Sequence, residues 1–316
     1  MSGALFAGIL TIFLLNSTSC NQDAMYNKEL YKNVVYLLSG SENVYSQSYT
    51  LNETEPVKYF SVCCGGSKPN PEEIVVTLEP NTAIVDTYNK NNFDYESDYA
   101  QLLPADRYEI GSYTITIPAN PVDQYVKVPV KVNPLGLSPD TIYFIPLSIK
   151  SVSQYEANPD KSTLLYRVTI ENDYAEQSPV TLYTIKGMST DELGTETSMT
   201  GSIIVQPLTK DKVRMFAGGA GGDAIQGQLT TIDDIKKYAI VVQIKGDNTV
   251  EITPYGTIDV EMLSADGYNL YNPNVMQGTT VQRVFTLYYR YRTMNDDGTF
   301  TGWKEVKETL TRIEDN

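Results

Sequence analysis

Apolar residues recur at every second position through most of the chain. In "EIVVTLEP" Ile74, Val76 and Leu78 share one face, and in "YTITIP" Tyr113, Ile115 and Ile117 do the same with Thr114 and Thr116 opposite. "QYVKVPVKV" sends Val126, Val128, Val130 and Val132 one way and Lys127, Pro129 and Lys131 the other, and "TIYFIPLSI" aligns Tyr143, Ile145, Leu147 and Ile149. A period of two is the geometry of a half-buried strand. Pro129 has no N–H to give to a ladder, so its strand is expected at a sheet edge or at a bulge. One segment breaks the alternation: "NTAIVDTYNKNN" predicts a short helix with Asn81 as its cap and Ile84, Val85 and Tyr88 on one side. Closely spaced strands with this single interruption predict a β-sandwich over residues 30–172.

The polar stretch "ENDYAEQSP", ending in proline, marks a boundary, with a second domain over 173–316. Strand-like runs follow in "VTLYTIKG", "GSIIVQPLTKDKVRMF" and "KKYAIVVQIKGDNTVEITPYG". A closing hairpin places Phe285, Leu287, Tyr289 and Tyr291 on one face of its first arm, turns through "MNDDGTFTG" and returns in "WKEVKETLTR". Two domains suit a chain of 316 residues, since a domain averages about 150.

The first 19 residues follow another rule. Residues 4–15, "ALFAGILTIFLL", carry no charge but are too few to span a bilayer, which takes about 20 apolar residues. They read as the core of a signal peptide, residues 1–19. Ser17, Thr18 and Ser19 then precede Cys20. Small residues ahead of a cysteine resemble the lipobox of bacterial lipoproteins, which implies that Cys20 is lipidated and that residues 20–29 form a tether to a membrane. Ser17 stands where that motif usually has leucine, and no Lys or Arg precedes the apolar core.

Composition narrows the chemistry. The net charge is -15, and such a surface repels a phosphate backbone, so nucleic acid is not an expected partner. There is no histidine, which removes His-based catalytic triads and dyads and His-ligated zinc. Cys63 and Cys64 are adjacent, so as strand residues they face opposite ways and read as core hydrophobes at a strand end. No cofactor or metal is expected.

Four segments are candidate sites. "FAGGAGGDAIQG", residues 216–227, lacks the Lys-Ser/Thr ending of a phosphate loop and reads as an inter-strand loop. Asp94, Glu96 and Asp98 would share a face if extended, at a spacing open to a glycosidase pair, but a solvated loop is the simpler reading. Asn295, Asp296, Asp297 and Gly298 fit a hairpin turn better than a calcium loop. The remaining candidate is aromatic. In "DGYNLYNPN" Tyr268 and Tyr271 interleave with Asn269 and Asn272, and Trp303, the single tryptophan, begins the return arm of the hairpin. Aromatic faces stack on sugar rings and amides bind hydroxyls, so these five are the candidate glycan contacts. The competing expectation is that Trp303 caps a core.

The succession "VTLEPNTAIVDTYNKNN", "YAQLLPADRYEI", "YTITIPA" and "YFIPLSI" resembles the N-terminal β-sandwich domain of Bacteroidetes surface lipoproteins, often found ahead of family 18 glycoside hydrolases or glycan-binding modules. Asn120 replaces the glycine usual in the turn after "IPA". "PLTKDKVRMF", "VEITPY" and the closing hairpin are similar to the C-terminal β-barrel-like domain of small gut-bacterial lipoproteins. The resemblance implies an all-β protein, an Ig-like sandwich followed by an antiparallel barrel-like or sandwich domain. It implies no catalytic residues, and the DxxDxDxE signature of family 18 hydrolases is absent. The expected function is that of a non-catalytic outer-membrane lipoprotein, lipid-anchored and facing the cell surface, with a periplasmic orientation as the alternative. It would bind a polysaccharide or oligosaccharide beside other polysaccharide-utilisation proteins. A cell-surface adhesin or structural protein is the first alternative and a glycoside hydrolase the second.

Overall fold

A computed structural model of the chain describes residues 32–219 and 231–314. Cys20 and residues 220–227 of the glycine-rich stretch lie outside them. The described chain is all-β. Its first eleven strands are β1 Val34–Leu37, β2 Val44–Thr50, β3 Val57–Gly65, β4 Ile74–Pro80, β5 Gln101–Leu102, β6 Tyr108–Ile110, β7 Thr114–Ile117, β8 Tyr125–Val132, β9 Tyr143–Val152, β10 Glu156–Ala157 and β11 Thr163–Glu171. They form two sheets, ordered β10-β1-β3-β8-β6 and β2-β11-β9-β4-β7, with β5 added beside β9. The alternating residues meet between them: Phe60, Val62, Val128 and Val130 from one sheet pack against Ile74, Val76, Ile145 and Leu147 from the other. Each such side chain, fully buried, contributes about 1.5–3 kcal/mol.

Two local expectations change. The helix exists as α1, Ala83–Asn92, but Asn81 does not cap it: its amide donates to Ser148 Oγ (2.7 Å). Val85 with Ile84 and Tyr88 covers the outer side of the second sheet over Phe144 and Leu165, so β9 is buried on both faces. Pro129, expected at an edge or bulge, lies on β8, between β3 and β6 in the sheet. It is tolerated because β6 has ended there. Gly111 N–H donates to the Pro129 carbonyl (2.9 Å), and a Cβ on Gly111 would stand 2.6 Å from the proline ring.

The remaining strands are β12 Thr181–Asp191, β13 Glu196–Thr209, β14 Lys212–Phe216, β15 Ala239–Ile244, β16 Val250–Pro254, β17 Asp259–Met262, β18 Leu270–Gln277, β19 Thr280–Arg292 and β20 Lys304–Ile313, with one short helix, α2 Ile232–Tyr238. They make one antiparallel sheet, β16-β15-β14-β13-β12-β20-β19-β17, with β18 also on β19. The sheet curls until β16 meets β17, and a Thr249–Leu270 bridge joins the ends into a barrel-like closure. Phe285, Leu287, Tyr289 and Tyr291 point into its core as the alternation requires.

The two halves are fastened by polar groups. Gln177 donates to Pro139 O (2.9 Å) and accepts from Ile170 N–H (3.0 Å), while Asn172 donates to Thr209 O (2.6 Å). Asp140 and Arg214 form a largely buried ion pair at 2.6 Å.

Candidate functional site

The aromatic residues singled out above do not form one platform. "DGYNLYNPN" is not simply a loop, because Leu270–Gln277 is β18, and alternation turns Tyr271 inward. It is 4 % exposed, with its ring 4.6 Å from Phe285 and edge-on to Tyr174 at 5.0 Å. Burial pushes its hydroxyl up to about 12. Asn269 is spent on the backbone: it takes a left-handed φ of 59°, donates to Leu263 O (2.6 Å) and accepts from Tyr288 N–H (2.9 Å). Tyr271 and Asn269 are therefore structural, a correction to the sequence reading. Asn272 is exposed on β18.

Trp303 neither fills the core nor stands free. Its ring lies 4.5 Å from the Arg290 guanidinium and 4.4 Å from that of Arg292, which also lies over Phe300 at 4.6 Å. Arg290 Nε donates to Glu261 and Arg292 Nε to Asp259, both at 2.8 Å. Tyr288 continues the strip: its hydroxyl donates to Glu305 (2.8 Å), Lys307 sits over its ring at 4.5 Å, and Tyr268 packs against it at 5.8 Å with the rings tilted by 58°.

These residues are one end of a longer surface, the outward face of β12, β20 and β19. The register stacks it in rows. Arg290 pairs with Glu305 and Tyr288 with Lys307, then Lys186 and Thr286 flank Thr309, and Thr184 and Val284 flank Thr311. Below the charged strip the face becomes hydroxylated, then apolar. There Leu182 and Ile313, each more than half exposed, and the overhanging Val275 and Met276 of β18 enclose a groove of about 730 Å³ with Thr184, Lys186, Thr309 and Thr311. From Lys304 to Ile313 the face runs about 30 Å at roughly 3.4 Å per strand residue.

The other sequence candidates are not sites. Glu96–Asp98 forms an exposed turn of 3-10 helix, not an extended strand. Asp297 caps the hairpin turn by accepting from the Thr299 N–H (2.9 Å) and hydroxyl (2.6 Å), which holds its carboxyl below the usual range. Cys63 and Cys64 are free and buried, and Tyr36 accompanies Cys63 on the outer side of its sheet.

One buried acid escaped the sequence reading. Glu308 is 1 % exposed inside the barrel, where it accepts from the Tyr289 hydroxyl at 2.9 Å, and its other oxygen has no partner. Burial pushes it up to about 7, with the tyrosine bond pulling the other way. The signal lay in "WKEVKETL", where Glu308 falls in phase with Val306 and Leu310.

A family model of an N-terminal domain matches residues 27–156, and one of a C-terminal domain matches residues 162–311. The chain belongs to both domain families. Solved structures share the whole arrangement. One from Bacteroides ovatus, of unknown function, gives a TM-score of 0.67 at 17% identity, covering 89% of this chain and 94% of its own. A multidomain protein from the same organism gives 0.63 at 17% identity, covering 88% and 94%. An auxiliary nutrient binding protein from Bacteroides thetaiotaomicron gives 0.62 at 16% identity, covering 87% and 92%. At these identities the likeness is one of fold. No curated protein matches the sequence.

Proposed function

We propose that this protein is a non-catalytic glycan-binding lipoprotein of the outer membrane, acting as an accessory in polysaccharide utilisation. The observation that carries the reading is the groove on the outward face of β12, β20 and β19. Its threonine hydroxyls and glutamine amides offer donors and acceptors, and Leu182, Val275, Met276 and Ile313 offer apolar edges for the CH faces of sugar rings. The auxiliary nutrient binding of the similar Bacteroides thetaiotaomicron protein is in keeping with it. The anchor rests on the apolar run and on Cys20, and mass spectrometry of the mature protein should find acylated Cys20 as its first residue.

Hydrolysis is disfavoured by the placement of carboxyls. The groove is lined by none, and Glu308, the acid pushed towards neutrality, is sealed in the core with a tyrosine for its partner. A glycosidase needs two carboxyls about 5–10 Å apart flanking an accessible bond.

Filling the groove tests the proposal. Thr311→Trp should abolish binding to any polysaccharide that the native protein retains in affinity electrophoresis, while leaving its melting temperature unchanged. Undiminished retention would remove the groove from the binding site.

A further inference from the structure

The groove carries positive charge on a protein that is negative overall. The chain carries 39 acidic and 24 basic side chains, yet the lining of this groove holds Lys186 and Arg312 and no carboxylate. A groove of similar size, about 690 Å³ where the two domains meet, shows the contrast: Asp173, Asp211 and Glu251 outnumber Lys210 and Lys245 there, and Lys245 is paired with Glu251 at 3.0 Å. In the threonine groove Arg312 is held 3.6 Å from Glu176, outside the lining, whereas Lys186 pairs with no carboxylate among the described residues. One row away, Lys307 is directed across Tyr288 and lies 3.9 Å from Glu305. Met188 opposes Lys307 and Lys186 opposes Thr309, so the two lysines are diagonal neighbours on adjacent strands. Lys307 leans towards β19 and Glu305, so its charge is engaged away from the groove while that of Lys186 lines it.

We propose that the groove selects an acidic polysaccharide, one whose sugars bear carboxylate or sulfate groups. The anionic group would sit beside Lys186, over the hydroxyls of Thr309 and Thr311, with the ring resting on Leu182 and Ile313. A carboxylate or sulfate accepts from both an ammonium and hydroxyls, and a neutral sugar leaves that ammonium with water alone. The strongly negative remainder of the surface weakens general attraction of polyanions, which confines recognition to this groove. The inference rests on the glycan-binding reading above and adds the class of glycan.

The test compares matched polymers on the full chain by calorimetry: polygalacturonate against its methyl ester, and a carrageenan oligosaccharide against its desulfated form. The acidic member of at least one pair should bind about tenfold more tightly, the scale of one charge-assisted contact. That advantage should shrink as salt rises towards about 0.5 M. It should fall towards unity in Lys186→Gln, whose unchanged melting temperature would show the fold intact. Which pair responds separates carboxylate from sulfate. Equal affinity within both pairs, or an advantage that survives Lys186→Gln, overturns the acidic specificity and leaves glycan binding standing. Failure of all four polymers to bind, joined with no binding to a panel of neutral polysaccharides, overturns both.

Discussion

Both domains bury a tyrosine hydroxyl against another polar group, and they satisfy it differently. In the sandwich Tyr49 and Tyr166 meet at 2.6 Å, and the Tyr49 hydroxyl donates to Val130 O at 3.0 Å. Every group in that chain of bonds is neutral, and burial drives both phenols well above their ordinary range. In the barrel the partner of Tyr289 is a carboxyl. Gly218 N–H donates to the Tyr289 oxygen (2.6 Å), Tyr289 donates to Glu308, and the last oxygen is left over. A buried carboxylate wants several donors and has one, so the neutral acid is the form that fits. The sandwich core is thereby indifferent to pH over the range where the barrel core is not.

That contrast yields the largest expected effect. Glu308 ionises near 4.5 when the chain is unfolded and near about 7 when it is folded. The folded state therefore holds a proton that the unfolded state has lost, and the stabilisation is complete below pH 4.5 and gone once pH has risen through about 7. Over that window the barrel should lose about 3 kcal/mol. Trp303, the single tryptophan, lies in the barrel, so its fluorescence during urea unfolding follows that domain. Glu308→Gln should flatten the pH dependence between 5 and 7. A wild-type barrel equally stable at both ends of the window would mean that Glu308 is ionised and otherwise compensated.

The sandwich supplies the counterpart. Tyr49→Phe takes the acceptor from the buried Tyr166 hydroxyl and one donor from the Val130 carbonyl, a cost of about 1–3 kcal/mol. The loss should be the same at pH 5 and at pH 8, read by far-ultraviolet dichroism under conditions where the barrel signal has been separated. A pH-dependent loss would place an unrecognised titrating group near the pair.

The same contrast shows what a sequence discloses. Period-two runs located the core faces because a strand's side chains must alternate, and Val128, Val130, Phe285 and Leu287 are buried accordingly. Pro273 hid β18, since a proline argues against a central strand; it lies within the register shift between Asn272 and Val275, where the ladder is already interrupted. Without β18, Tyr271 looked free when it was core. The groove was also out of reach. Leu182, Thr184 and Lys186 alternate visibly, as do Thr309, Thr311 and Ile313, but only the β12–β20 register brings the two sets together. Nothing local encodes a pairing between strands so far apart in the chain.

Trp303→Ala is the smallest effect and the sharpest test of where the aromatic strip belongs. A tryptophan filling the core would cost about 3–5 kcal/mol on removal. Trp303 is instead stacked by two guanidinium groups on the outer surface, and each contact of that kind contributes about 0.5–1 kcal/mol. The variant should therefore lose about 1–2 kcal/mol in calorimetric unfolding, the sum of two such contacts. Arg290 and Arg292 should keep their bonds to Glu261 and Asp259, because those do not pass through the indole. Glycan affinity should change less than in Thr311→Trp, since the groove lies farther along the face and the ring is already engaged. If the variant bound glycan at least tenfold more weakly with little change in melting, the charged strip would be part of the binding surface, which would then run the whole length of β20.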